Sequence, residues 1–269
     1  MIFEVENKKI FASGIGISFD KKKHTIILIH GSGQSHIVWS LTEEYLSNQG
    51  YNVFSLDLPG HGNSEGESLN SIEKIADWLE KVIRKIGIDE LTILGHSQGC
   101  LVALEYNYKF SKKVKNLIFV AGSYKLSVNQ DLIDLSLSGD MESLNLMMKW
   151  GYGHSKQFIG GNPLSKILNS TREIREILAI DLIACNNYKN GIKAVESIKC
   201  PTLFIFGELD KMITVDKGKK FAALVPNSKI HVIKNCGHMI MLENAFEMRE
   251  KVVEFLKKIK NFQLIYEES

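Results

Sequence analysis

Six apolar runs of strand length, each stopped by a glycine or a turn, limit what this chain can become. They are "HTIILIHG" from His24, "NVFSLDLPGHG" from Asn52, "LTILG" from Leu91, "VKNLIFVAG" from Val114, "CPTLFIFGELD" from Cys200 and "SKIHVIKNCGH" from Ser228. The first five are near-continuous apolar runs and read as strands covered on both faces, and the run from Ser228 reads as one more strand. Helical stretches separate them. Ile72, Ile75, Ala76, Leu79, Val82, Ile83 and Ile86 make one apolar stripe between the second and third runs. Helices are also expected over 39–48, 101–108, 216–224 and 243–260. Repeated βα units imply a mostly parallel, twisted sheet with helices on both faces, an α/β fold. Two short antiparallel strands in "FEVENKKIFASGIGIS" precede it.

The rhythm breaks between residues 123 and 197, where no convincing strand occurs. Ile174, Ile177, Leu178, Leu182 and Cys185 form a helical stripe there, and Met147, Met148 and Trp150 belong to another helical stretch. The segment is too long for an ordinary connection. The expected organisation is one core domain made of residues 1–122 and 198–269, with 123–197 as a helical cap, or lid, inserted over the ends of the strands.

The turn "LGHSQG" after the third run carries the chemistry. A serine fenced by Gly95 and Gly99, between a strand and a helix, fits a nucleophile elbow. The glycines let backbones approach closely, and the helix that follows offers its first amides to a developing oxyanion. A serine hydroxyl needs a base, and the base needs an orienting carboxylate. His238 in "NCGHMIM" and Asp210 at the end of "LFIFGELD" follow the last two runs. Ends of parallel strands share one edge of the sheet, so Ser97, Asp210 and His238 can meet there. Glu208 and Asp216 are alternative carboxylates. His96 is expected to pack or hydrogen-bond beside the elbow, Asp57 to cap the "PGHG" loop, and Cys100 to be a packed small side chain.

The motifs "LIHGSGQ", "LDLPGHGNS", "LGHSQG", "CPTLFIFGELD" and "NCGHMIMLE" occur in an order that resembles the serine hydrolases of the α/β-hydrolase fold. The likeness spans nearly the whole chain. It implies that the backbone N–H groups of Ser32 and Gln98 form the oxyanion hole. Substrate is less constrained, since esterases, thioesterases, lactonases, C–C bond hydrolases and cofactor-free peroxidases share these motifs. Relatives with an aspartate nucleophile are disfavoured by Ser97.

The chain has 269 residues, 44% apolar and 24% charged, with a formal net charge of +2. That is enough for a large core and offers no basic surface for nucleic acid. No basic cluster that would select a charged substrate is evident in the sequence, nor is a phosphate-binding loop or a metal constellation. No cofactor is expected. Cys100, Cys185, Cys200 and Cys236 are far apart and read as reduced thiols. The start, "MIFEVENKKIF", meets charge at once, and no run is long enough to span a bilayer, so a cytoplasmic location is expected. The oligomeric state is left open.

The expected activity is cleavage of a carboxylic ester, or similar acyl compound, of a small and largely apolar molecule. The pocket would include Met147, Met148, Trp150, Leu144 and Phe158. C–C bond hydrolysis or cofactor-free peroxidation would use the same triad. A ligand receptor or signalling partner that retains the fold is the rival from outside catalysis.

Overall fold

The computed structural model describes residues 1–14, 19–153 and 172–267. The strands are β1 (Ile2–Val5), β2 (Lys8–Ser13), β3 (Thr25–Ile29), β4 (Asn52–Leu56), β5 (Leu91–His96), β6 (Val114–Val120), β7 (Thr202–Gly207) and β8 (Ser228–Ile233). Among the described residues they form one sheet in the order β1-β2-β4-β3-β5-β6-β7-β8. β1 and β2 pair antiparallel, β2 joins β4 antiparallel, and every pairing from β4 to β8 is parallel.

The continuous apolar runs have a simple cause. Successive side chains of a strand leave opposite faces, and here both faces are covered. Ile27 and Ile29 of β3, Ile93 of β5, Phe119 of β6 and Phe204 of β7 enter one core cluster. Their neighbours Ile26, Leu28, Leu94, Ile118 and Ile205 enter another on the reverse face.

The first face is covered by α2 (Ile72–Ile86) and α3 (Gln98–Phe110), and the second by α1 (Ser40–Asn48) and α10 (Ala245–Glu267). The stripe predicted for α2 is buried from Ile72 to Ile83 with Ile86 half-buried, its start is capped by Ser71 Oγ accepting from Lys74 N, and Gly87 ends it at φ 81°. The helix expected over 39–48 begins one residue later, after a 3₁₀ turn at His36–Trp39. Between β6 and β7 the described residues form α4 (Gln130–Leu137), α5 (Met141–Gly151), α6 (Arg172–Asn187) and α7 (Gly191–Glu196). After β7 come α8 (Val215–Ala222), and after β8 the short α9 (Ile240–Glu243).

β3 is followed in sequence by a strand on one side of it and later by one on the other. The order therefore reverses beside β3, and the carboxyl ends of β3 and β5 flank the crevice where open α/β sheets bind ligands. The register puts Ile29 beside Gly95, so the loops after both strands start side by side.

Candidate active site

Ser97 stands at the junction of β5 and α3 with φ 51° and ψ −112°. That is a strained conformation for a residue with a side chain. The surroundings enforce it. Ser97 N donates to the Val120 carbonyl at 3.1 Å, and the Cys100 amide returns to the Ser97 carbonyl at 2.9 Å. A Cβ on Gly95 would press into the Gly99 carbonyl, and one on Gly99 into the carbonyls of Ile29 and His30. The helix was expected from residue 101, but it starts at Gln98, directly after the serine. Gly99 is thus inside its first turn, where the close approach of β3 outweighs glycine's poor helix propensity.

Asp210 and His238 meet as expected. His238 Nδ1 lies 2.8 Å from Asp210 Oδ2, with both side chains buried. The carboxylate accepts there, so Nδ1 carries a proton, and it is the neutral form of the ring that offers a lone pair at Nε2. Asp210 Oδ1 accepts from the amides of Met212 and Ile213 at 2.8 and 2.9 Å, which fixes the carboxylate plane. The alternative, Glu208, is turned away and accepts from Asn235 N. Asp216 lies in the first turn of α8.

The loop carrying His238 is held from two sides. Gly151 O accepts from the amides of His238 and Met239. Glu243, which the sequence did not single out, accepts from Gly237 N and from Gly153 N. His96 is buried and donates from Nε2 to the His238 carbonyl at 3.1 Å, the supporting role expected of it. Burial first, and then the nearby His238 ring, hold His96 well below the ordinary imidazole range, so it stays neutral. Asp57 caps its loop, accepting from His36 N and Asn63 N. Burial pushes the Cys100 thiol far up, and its Sγ donates to the Gly95 carbonyl. It is an inert, packed side chain.

The loop after β3 comes within reach of the serine: a Cβ on Gly31 would lie 3.2 Å from Ser97 Cβ. The amides on either side of Ser32 are taken by protein acceptors, Gly31 N by Gln34 Oε1 and Gly33 N by Asp181 Oδ2 at 2.7 Å.

Asp181 is the main residue the sequence reading passed over. It projects from α6, is buried, and also accepts from His61 Nε2 at 2.9 Å. Burial alone would raise its carboxyl. The adjacent His61 charge and hydrogen bond, with the Gly33 amide, outweigh this and hold it below the usual carboxylate range. The Gln98 side-chain amide approaches the same carboxylate without reaching a well-aligned bond. Leu178, one turn earlier on α6, packs on Gly33: a Cβ there would meet its Cδ1 at 3.1 Å. A signal existed in the sequence, because Asp181 is a carboxylate set among Leu178, Leu182 and Cys185 on the buried stripe.

Ser97 and His238 line a cavity of about 690 Å³ together with Ser32, Leu144, Met147, Met148, Trp150 and Met239. Of the five pocket residues expected from sequence, Leu144, Met147, Met148 and Trp150 are on its wall, and Phe158 lies outside the described residues. One expectation fails. Lys125, Lys211, Lys217 and Lys220 also line the cavity, so a basic cluster does exist. It was invisible in the sequence because three separate segments contribute to it. Among the described residues, no group of three or more His, Cys, Asp or Glu side chains could hold a metal ion. No helix there is long and apolar enough to cross a membrane.

A parallel sheet with a serine turn after β5, and with a carboxylate–histidine pair after β7 and β8, defines the class of α/β hydrolases. The family model described as "alpha/beta hydrolase fold" matches residues 24–150 and 140–245, and the chain belongs to that family. Among curated proteins, a 2-hydroxy-6-oxononadienedioate/2-hydroxy-6-oxononatrienedioate hydrolase of Klebsiella pneumoniae is 24% identical over 260 residues, 88% of each chain. A Pseudomonas putida hydrolase of the same description is 25% identical over 254 residues, 87% of this chain and 88% of the other. Among solved structures, a thermophilic esterase superposes with a TM-score of 0.81 at 24% identity, over 96% of this chain and 97% of the other. The enol-lactonase of Burkholderia xenovorans LB400 gives 0.84 at 18% identity, over 96% and 100%.

Proposed function

We propose that the protein is a serine hydrolase that cleaves a carboxylic ester, or a similar acyl compound, through an acyl-enzyme. The observation that carries this reading is the His238 Nδ1–Asp210 Oδ2 hydrogen bond of 2.8 Å beside a strained serine turn, with Ser97 and His238 on one cavity wall. Ser97 Oγ attacks the carbonyl carbon while His238 Nε2 takes its proton. Asp210 holds the ring and stabilises the imidazolium. The tetrahedral oxyanion is met by the amides of Ser32 and Gln98, the second reinforced by the N-terminal end of α3. His238 then passes the proton to the leaving oxygen, and the C–O bond breaks. A water molecule, deprotonated by the same nitrogen, releases the acid and restores Ser97.

The segment 123–197 acts in this reading as a cap over the strand ends. Its side chains Leu144, Met147, Met148 and Trp150 give the acyl chain an apolar wall and keep bulk water from the intermediate. A cavity of about 690 Å³ suits a small molecule rather than a polymer.

C–C bond hydrolysis is the second reading, favoured by the whole-length curated relatives named as dioate hydrolases. The two are separated by assaying p-nitrophenyl esters beside a hydroxy-oxo-dienedioate of the kind those names describe. The ester reading expects multiple turnovers of the esters, lost in Ser97→Ala. Rapid cleavage of the dioate, with single-turnover ester chemistry, would replace it by the C–C reading. No turnover of either would favour a receptor.

A further inference from the structure

Among the described residues, the Lys, Arg, Asp and Glu side chains of the cavity wall are all of one sign. Among the described residues lining it are four lysines and no aspartate or glutamate. The whole chain is nearly balanced, with 33 Lys and Arg against 31 Asp and Glu, so this wall departs from the surface around it. The four lysines also converge. Lys217 and Lys220 are three apart and share one face of α8. Lys211 directly follows Asp210 in the β7–α8 loop. Lys125 lies just past β6, and its neighbour Tyr124 packs against Phe221 of α8 with ring centroids 5.7 Å apart. The lysines therefore gather at the β6–β7–α8 side of the cavity, away from the Ser32–Gln34 loop after β3. Among the described residues, none of the four has an ion-pair partner.

We propose that this side of the cavity binds an anionic group, a carboxylate carried by the substrate at the far end from the carbonyl that Ser97 attacks. The proposal rests on the serine-hydrolase reading for the position of that carbonyl. An apolar wall of Met and Leu side chains accommodates the intervening chain, and the lysine stems extend that surface while their ammonium groups stay at the mouth. Four like charges around a concave, low-dielectric opening focus the potential there and draw in an anion. The class of substrate is thus a half-ester or other acyl compound with a free distal carboxylate.

The test compares two series with the natural chain: mono-p-nitrophenyl esters of dicarboxylic acids from adipate to sebacate, and p-nitrophenyl esters of the matching straight-chain monoacids. The expected result is a higher kcat/KM for the charged series at one or more lengths, carried by KM and weakened by added salt. The double variant Lys217→Gln/Lys220→Gln should lower the charged-to-neutral ratio by about tenfold. Lys219→Gln, on the same helix but off the cavity wall, should not. A neutral series preferred at every length, or a ratio unmoved by the double variant, overturns the proposal. Calorimetric binding of the free dicarboxylates to Ser97→Ala protein separates it from the catalytic reading. Lysine-dependent binding without any esterase turnover in wild type would keep the anion site and discard the chemistry. Ser97-dependent turnover with no charge preference would do the reverse.

Discussion

His61 Nε2 stands 2.9 Å from Asp181 Oδ2, and its Nδ1 stands 3.0 Å from the Pro59 carbonyl. Both ring nitrogens face acceptors, so both must carry protons, and the buried ring is an imidazolium. Burial acts to lower its pKa, but the Asp181 charge and hydrogen bond, with the Pro59 carbonyl, raise it above 6.5. This pair ties α6 to the loops after β3 and β4, and the same carboxylate fixes Gly33 N beside Ser32.

Asp181→Asn should therefore destabilise the protein in a pH-dependent way. His61, with its raised pKa, contributes stability that is complete below the unfolded value of about 6.5 and is lost as pH rises through the folded value. Asp181, with its lowered pKa, contributes stability present above about pH 4 and lost as pH falls through its folded value. The pair is at full strength from about pH 4 to 6.5. Removing one partner of a buried pair costs about 3–5 kcal/mol. Thermal melts of wild type and variant should differ most near pH 5–6 and least near pH 9. An equal difference at both would contradict the charged pair.

The neighbouring rings should titrate in the opposite sense. His30 donates from Nδ1 to the Gly31 carbonyl and accepts at Nε2 from Leu58 N, the pattern of a neutral ring. Burial, and then the His61 charge, pull its pKa down to about 4. Imidazole NMR at pH 6 should show His61 protonated and His30 and His96 neutral. A protonated His30 at that pH would undo the assignment.

Asp210→Asn should lower turnover far more than Glu208→Gln, by about 10³-fold or more, because of these two carboxylates it is Asp210 that bonds the His238 ring, while Glu208 accepts from Asn235 N. Combining Asp210→Asn with Ser97→Ala should add little, since the residues act as a unit. Steady-state kinetics on one activated ester decides it: a damaging Glu208→Gln beside a mild Asp210→Asn would reassign the acid.

Lengthening a neutral acyl chain should raise kcat/KM by at most about fourfold per carbon, at ~0.8 kcal/mol for each methylene buried. The gain should stop at short-to-medium length, when the wall around Met147, Met148 and Trp150 is filled. Trp150→Ala should move the optimum to longer chains. No dependence on length, measured from acetate to laurate, would remove the closed pocket.

What was legible in the sequence was the part governed by local periodicity. Strands such as β3 and β7 are buried on both faces, so their apolar runs announce them, and the strand-end residues Ser97, Asp210 and His238 follow from their position. What was not legible depends on convergence in space. Lys125 and Lys220 are far apart in sequence yet flank one cavity. Asp181 looks like an interruption of an apolar stripe until His61 and the Gly33 amide stand opposite it. The start of α3 was misjudged because Gly99 is chosen by the approach of the Ile29 and His30 carbonyls, which no local propensity reports.

The central claim is that Ser97 is a nucleophile activated by His238, and covalent labelling reads it directly. Wild-type protein treated with a fluorophosphonate, digested and mapped by mass should carry one adduct, on Ser97. The labelling rate should fall by about 10³-fold in His238→Ala. An adduct on another residue, or a rate that His238→Ala leaves unchanged, would contradict the account.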